Sequence, residues 1–177
     1  MSVPLHPARA GEQTWMPWKS RSLAPSPRLG LNMYAGGSTG LATLRRDGFA
    51  SMDAGVQPGS LTTRPVIFSG RHLFVNANAR HGELRVEVLG TDGTALAPFQ
   101  RENCRPLRVD GTRQRISWVK AEDLAGLKGR PVSFRFHVRN SQLFSFWISA
   151  TERGASNGYV AAGGPGFTGP TDTVGAK

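Results

Sequence analysis

Hydrolysis of a glycosidic bond by paired carboxyl groups needs two of them held several ångströms apart across the bond. The internal acids of this chain are Asp47, Asp53, Glu83, Glu87, Asp92, Glu102, Asp110, Glu122 and Asp123. Asp47 and Asp92 belong to turns, Glu83 and Glu87 to a solvated strand face, and Glu122 and Asp123 to the start of a short helix. No pair is left without a structural reading, so no catalytic residue is assigned. A serine nucleophile fares no better. There is no G-x-S-x-G, and His6, His72, His81 and His137 sit in no supporting context. Their spacing suits no metal site, and a lone Cys104 excludes both an internal disulfide and a cysteine-based metal set. Asp110 and Glu102 flank a loop that could offer oxygens to calcium, but no defined loop motif surrounds them. The run Gly163–Gly166 is too irregular to cradle a phosphate. No metal and no cofactor is assigned.

One surface stands out for binding. The segments 131–140 and 142–150 alternate strictly, placing Val132, Phe134, Phe136 and Val138 inward, then Phe144, Phe146 and Ile148. Arg135, His137, Arg139 and Trp147 are then expected outward, with Arg85 and Glu87 of a neighbouring strand beside them. An aromatic plate flanked by hydrogen-bonding groups is what a sugar-binding surface requires, and equally what a domain interface looks like. Both readings stay open. Trp118 falls on the apolar face of its strand and is expected in the core.

The elements that would carry these residues are strands. Residues 40–55 hold two period-two runs across Asp47-Gly48, a hairpin pattern. An extended stretch interrupted by Pro65 suits an edge strand. His72–Asn76, Glu83–Leu89 and Gln114–Lys120 read as further strands, with Leu84, Val86 and Val88 inward against Glu83, Arg85 and Glu87. Residues 90–94 form a turn, and 121–128 is the one helix candidate. The spacing predicts an all-β fold, an antiparallel β-sandwich of jelly-roll type. Residues 1–30, punctuated by five prolines with Trp15 and Trp18 among them, form an irregular Pro-rich arm; 31–153 form the sandwich; 154–177 form a flexible, Gly-rich tail.

A net charge of +10 invites a polyanion partner. The arginines are dispersed through the strands, with Arg45-Arg46 the longest basic run, which makes nucleic acid the weaker alternative. No apolar run approaches the roughly 18–20 residues that span a membrane, so no membrane partner is expected. The opening residues contain no continuous apolar core of a secretory signal. Localisation stays open.

Residues 40–55 (G-L-A-T-L-R-R-D-G-F-A-S-M-D-A-G), G-x-L-x-T-x-P at 59–65, H-L-F-V-N-A at 72–77 and G-E-L-R-V-E-V-L at 82–89 resemble a recurrent pattern in bacterial glycoside-hydrolase-like proteins related to the five-bladed propeller enzymes of family 32. The likeness extends through R-E-N-C at 101–104 and R-P-V-S-F-R-F at 130–136 to L-F-S-F-W at 143–147, covering Met33 to Trp147. Asn103 departs from it, standing where an aspartate is expected before the cysteine. In such proteins this region is a C-terminal β-sandwich following the propeller, and the propeller supplies the catalytic carboxylates. The resemblance therefore implies a non-catalytic accessory module that binds carbohydrate or braces a propeller-type catalytic domain, with residues 31–39 as the last trace of that propeller. A glycoside hydrolase acting only with such a propeller is the alternative. No catalytic residue carries over.

Overall fold

Alternation decides the two longest strands of one sheet. In β4 (Glu83–Leu89), Leu84, Val86 and Val88 are fully buried. It pairs antiparallel along its whole length with β6 (Ser133–Arg139), which buries Phe134, Phe136 and Val138 on the same side. On the far edge of β6 lies β2 (Gly59–Thr62), giving a three-stranded sheet in the order β2-β6-β4. Pro65 falls in this edge segment beyond the strand, where a missing N–H costs nothing; Val66 resumes the pairing opposite Val132.

The second sheet is built around β3 (His72–Asn78) and β7 (Ser141–Ser149), flanked by β1 (Met52–Ala54) and β5 (Asp110–Arg115) in the order β1-β7-β3-β5. All pairings are antiparallel. Leu73, Val75, Ala77, Ile116 and Leu143 close on Leu84, Val86, Val88, Phe134 and Phe136 to make one core between the sheets. Phe146 tilts against both Phe134 and Phe136, 6.1 and 5.0 Å between ring centroids. This is the all-β antiparallel sandwich that the alternation predicts. The computed structural model describes residues 44–158 and 169–174. The Pro-rich arm with Trp15 and Trp18, residues 31–39 read as a propeller trace, and Gly163–Gly166 lie outside the described residues.

Four expectations change in detail. The Asp47-Gly48 turn forms, with Asp47 at φ 48° and Gly48 N–H donating to Arg45 O at 2.9 Å. Residues 44–51 carry no strand, however, and β1 pairs with β7; residues 40–43 of the expected hairpin lie outside the described residues. The strand expected over 114–120 is shifted to 110–115, followed by isolated bridges at Trp118. The helix candidate reduces to a single 3-10 turn, Ala125–Leu127. In β7 the inward set is Leu143, Phe146 and Ile148. Asn76 pairs with Ser145 and Ala77 with Leu143, so Phe144 is an extra residue, a β-bulge that reverses the phase of the strand.

Residues 95–108 are irregular yet fixed. They run along the free edge of β4, exchanging backbone bonds between Leu84 and Leu107 and between Val88, Leu96 and Phe99. Trp118 sits in the core as expected, edge-on to Phe99 at 5.3 Å, its indole N–H donating to Val86 O at 3.0 Å. Cys104 is buried beside it, its sulfur accepting from Val86 N–H, and burial pushes the thiol pKa up. That makes it an inert core residue.

Candidate functional site

The outward positions of β4 and β6 meet in register. Glu83 lies opposite Arg139, Arg85 opposite His137, and Glu87 opposite Arg135. Five of the six residues read from sequence as a polar face (Arg85, Glu87, Arg135, His137 and Arg139) therefore share the outer surface of the three-stranded sheet. Glu87 is at its centre and only 8% exposed. One oxygen, Oε1, accepts from Arg135 Nη1 and lies within hydrogen-bonding distance of His137 Nε2, both at 3.1 Å. Arg135 is held from the other side by Thr62 of β2 at 3.1 Å.

Glu83, left by sequence to a solvated strand face, is the second hub. Arg108 donates to it at 2.9 Å, while Arg85 and Arg139 stand 3.9 Å away. The Arg108 hydrogen bond first, and the surrounding guanidinium charges with it, hold its carboxyl below the ordinary 4.5. Burial pulls the His137 imidazole below its ordinary 6.5, and the bond and charge of Glu87 only partly offset that. Near neutral pH the Glu83 carboxyl is therefore ionised and the His137 imidazole neutral. Glu83, held ionised by its arginines, is not arranged as a proton donor.

Beside these residues the surface dips into a hollow of about 280 Å³ whose lining includes Pro58, Glu83, Arg85, Arg101, His137 and Arg139. Arg101 comes from the 3-10 turn Arg101–Asn103 in the irregular segment along β4. Sequence alone gives no sign of Arg101 or Arg108 here, because neither lies on a periodic strand. Glu83 was readable: it shares the alternation of Arg85 and Glu87.

Trp147 is on the other sheet. It stacks on Phe74, 5.7 Å between centroids at 15°, and its indole N–H donates to Gly154 O at 3.1 Å. That outer surface is covered by the chain itself. Arg45 reaches across it to Asn76 and Asp110 at 2.6 Å and lies over the Phe144 ring at 4.6 Å. From the tail, buried Asp172 bonds Ser156 at 2.7 Å and pairs with Arg46. Asp110, considered for calcium, is paired with Arg45 and with Arg80 at 3.9 Å, while Glu102 is exposed on its 3-10 turn. Among the described residues no three His, Cys, Asp or Glu side chains gather as a metal site, and no helix is long and apolar enough to cross a membrane.

Comparison of the chain with protein-family models, with curated proteins and with solved structures yields no match.

Proposed function

We propose that this chain is a non-catalytic β-sandwich module of a glycoside-hydrolase-like protein, and that it binds carbohydrate on the outer face of its three-stranded sheet. The observation that carries the reading is the asymmetry of the two outer surfaces. Among the described residues, one is covered by Arg45, Arg46 and residues 154–158 and 169–174. The other presents Arg85, Glu87, Arg135, His137 and Arg139, held in place by their mutual bonds beside an open hollow. Preoriented donors and acceptors lower the entropy lost when a polar ligand docks. The same face would serve to brace a propeller-type domain. With Trp147 engaged by Phe74 and Gly154, recognition here would rest on hydrogen bonds from guanidinium and carboxylate groups rather than on an aromatic plate.

The test is an NMR titration of the full chain with plant and bacterial oligosaccharides, neutral and acidic. The expected result is shifts confined to the backbone amides of residues 83–87 and 135–139, abolished by Glu87→Gln with Arg135→Ala. Absence of any shift across the series would remove the carbohydrate reading.

A further inference from the structure

The arginines around the hollow are not equally occupied. Arg108 spends its guanidinium on Glu83 at 2.9 Å, and Arg85 gives Nη1 to the Cys104 carbonyl at 2.8 Å. Arg139 approaches Glu83 only to 3.9 Å, with half of its side chain exposed. The Arg101 side chain makes no hydrogen bond or ion pair among the described residues. Three guanidiniums (Arg85, Arg101, Arg139) thus face one carboxylate, Glu83, in the lining of a single hollow. Such a site has an uncompensated positive charge and unspent planar donors, which match a carboxylate bidentately.

Two further observations narrow the anion. At about 280 Å³ the hollow sits at the small end of ligand pockets, the scale of one ring rather than of a nucleic-acid backbone. The ionised Glu83 in its wall can accept hydrogen bonds from hydroxyls and would repel closely spaced phosphates. We infer that the hollow is a subsite for an acidic sugar, with Arg101 and Arg139 pairing with its carboxylate and Glu83 accepting from its hydroxyls. This rests on the carbohydrate reading above and specifies its ligand class.

The test uses calorimetry on the full chain with three probes: a galacturonate trimer, the same trimer methyl-esterified, and a linear oligophosphate. The acidic trimer should bind about tenfold or more tighter than its ester, and more weakly as salt is raised. Arg101→Ala and Arg139→Ala, both at exposed positions, should each lose about tenfold. Arg130→Ala, on a different hollow beside Gly90 and Pro131, should change nothing. Equal binding of trimer and ester would overturn the acidic subsite and leave the carbohydrate reading standing. Binding of oligophosphate alone, with every saccharide silent, would overturn both. An unchanged NMR spectrum of each variant establishes that it is folded before its affinity is compared.

Discussion

Glu87 and His137 illustrate how a half-buried pair stores pH sensitivity. The folded protein binds the His137 proton less tightly than an exposed histidine would, because burial outweighs the attraction of Glu87. Below about pH 6.5 the unfolded chain then takes up a proton that the folded chain refuses, so stability falls as the solution is acidified and levels off below the folded value. His72, buried in β3, adds to this with the same sign, through burial first and the charge of Arg115 next. Urea midpoints measured at about pH 7.5 and about pH 5.5 should therefore differ, and His137→Gln should shrink that difference without abolishing it, His72 supplying the remainder. Glu87→Gln should shift the His137 imidazole titration, followed by NMR, further to the acid side, since the charge that raises it is gone. A shift the other way would mean that Glu87 does not act on His137 as their 3.1 Å approach implies.

At the scale of elements, legibility follows from one-sided burial. Glu83–Leu89 and Ser133–Arg139 alternate cleanly because one face meets the core and the other meets water, and both were readable, as was the polar face they share. The β5 segment D-G-T-R-Q-R contains no apolar residue, and its place comes from pairing with β3, a non-local fact that no local pattern reports. In β7 a single unpaired residue, Phe144, turns an unbroken alternation into two phases. Trp147 was readable as outward. What covers it was not, because that depends on Gly154 at φ +82°, where the chain turns back over the sheet. A Cβ at Gly154 would stand 2.6 Å from Phe74 Cε1, and the backbone there is one that L residues rarely adopt. Gly154→Ala should cost about 1–3 kcal/mol in denaturant unfolding, from strain and overpacking. It should also shift Trp147 fluorescence to longer wavelength as water reaches the indole. An unchanged spectrum would mean that the 154–155 segment does not shield the Phe74–Trp147 stack.

For the molecule as a whole, the two ends of the described chain do the work that a third layer would do elsewhere. The outer surface of the four-stranded sheet is closed from one side by Arg45 and Arg46 and from the other by residues 154–158 and 169–174. Asp172 is where they meet: 2% exposed, paired with Arg46, and bonded to Ser156 and to the Val174 N–H. Burial alone would raise its pKa, yet the Ser156 and Arg46 bonds prevail and hold it below the ordinary 3.8. Its charge therefore stabilises the fold throughout neutral and mildly acidic pH, and that contribution is lost only as pH falls below 3.8 through the folded value. Replacing the carboxylate by an amide removes the charge-assisted bonds while preserving shape. Asp172→Asn should lower unfolding free energy by about 2–3 kcal/mol at neutral pH. The loss should be localised: limited proteolysis should cut the variant C-terminal to Thr151 well before the sandwich itself, at denaturant concentrations where the parent chain resists. Arg46, Ser156, Asp172 and Val174 are not among the residues that line the hollow on the three-stranded face, so oligosaccharide affinity should be retained by the variant. If the variant instead lost tail protection and ligand affinity together, the two outer surfaces would be coupled through the core, and the division of the sandwich into one self-sealed face and one binding face would have to be abandoned.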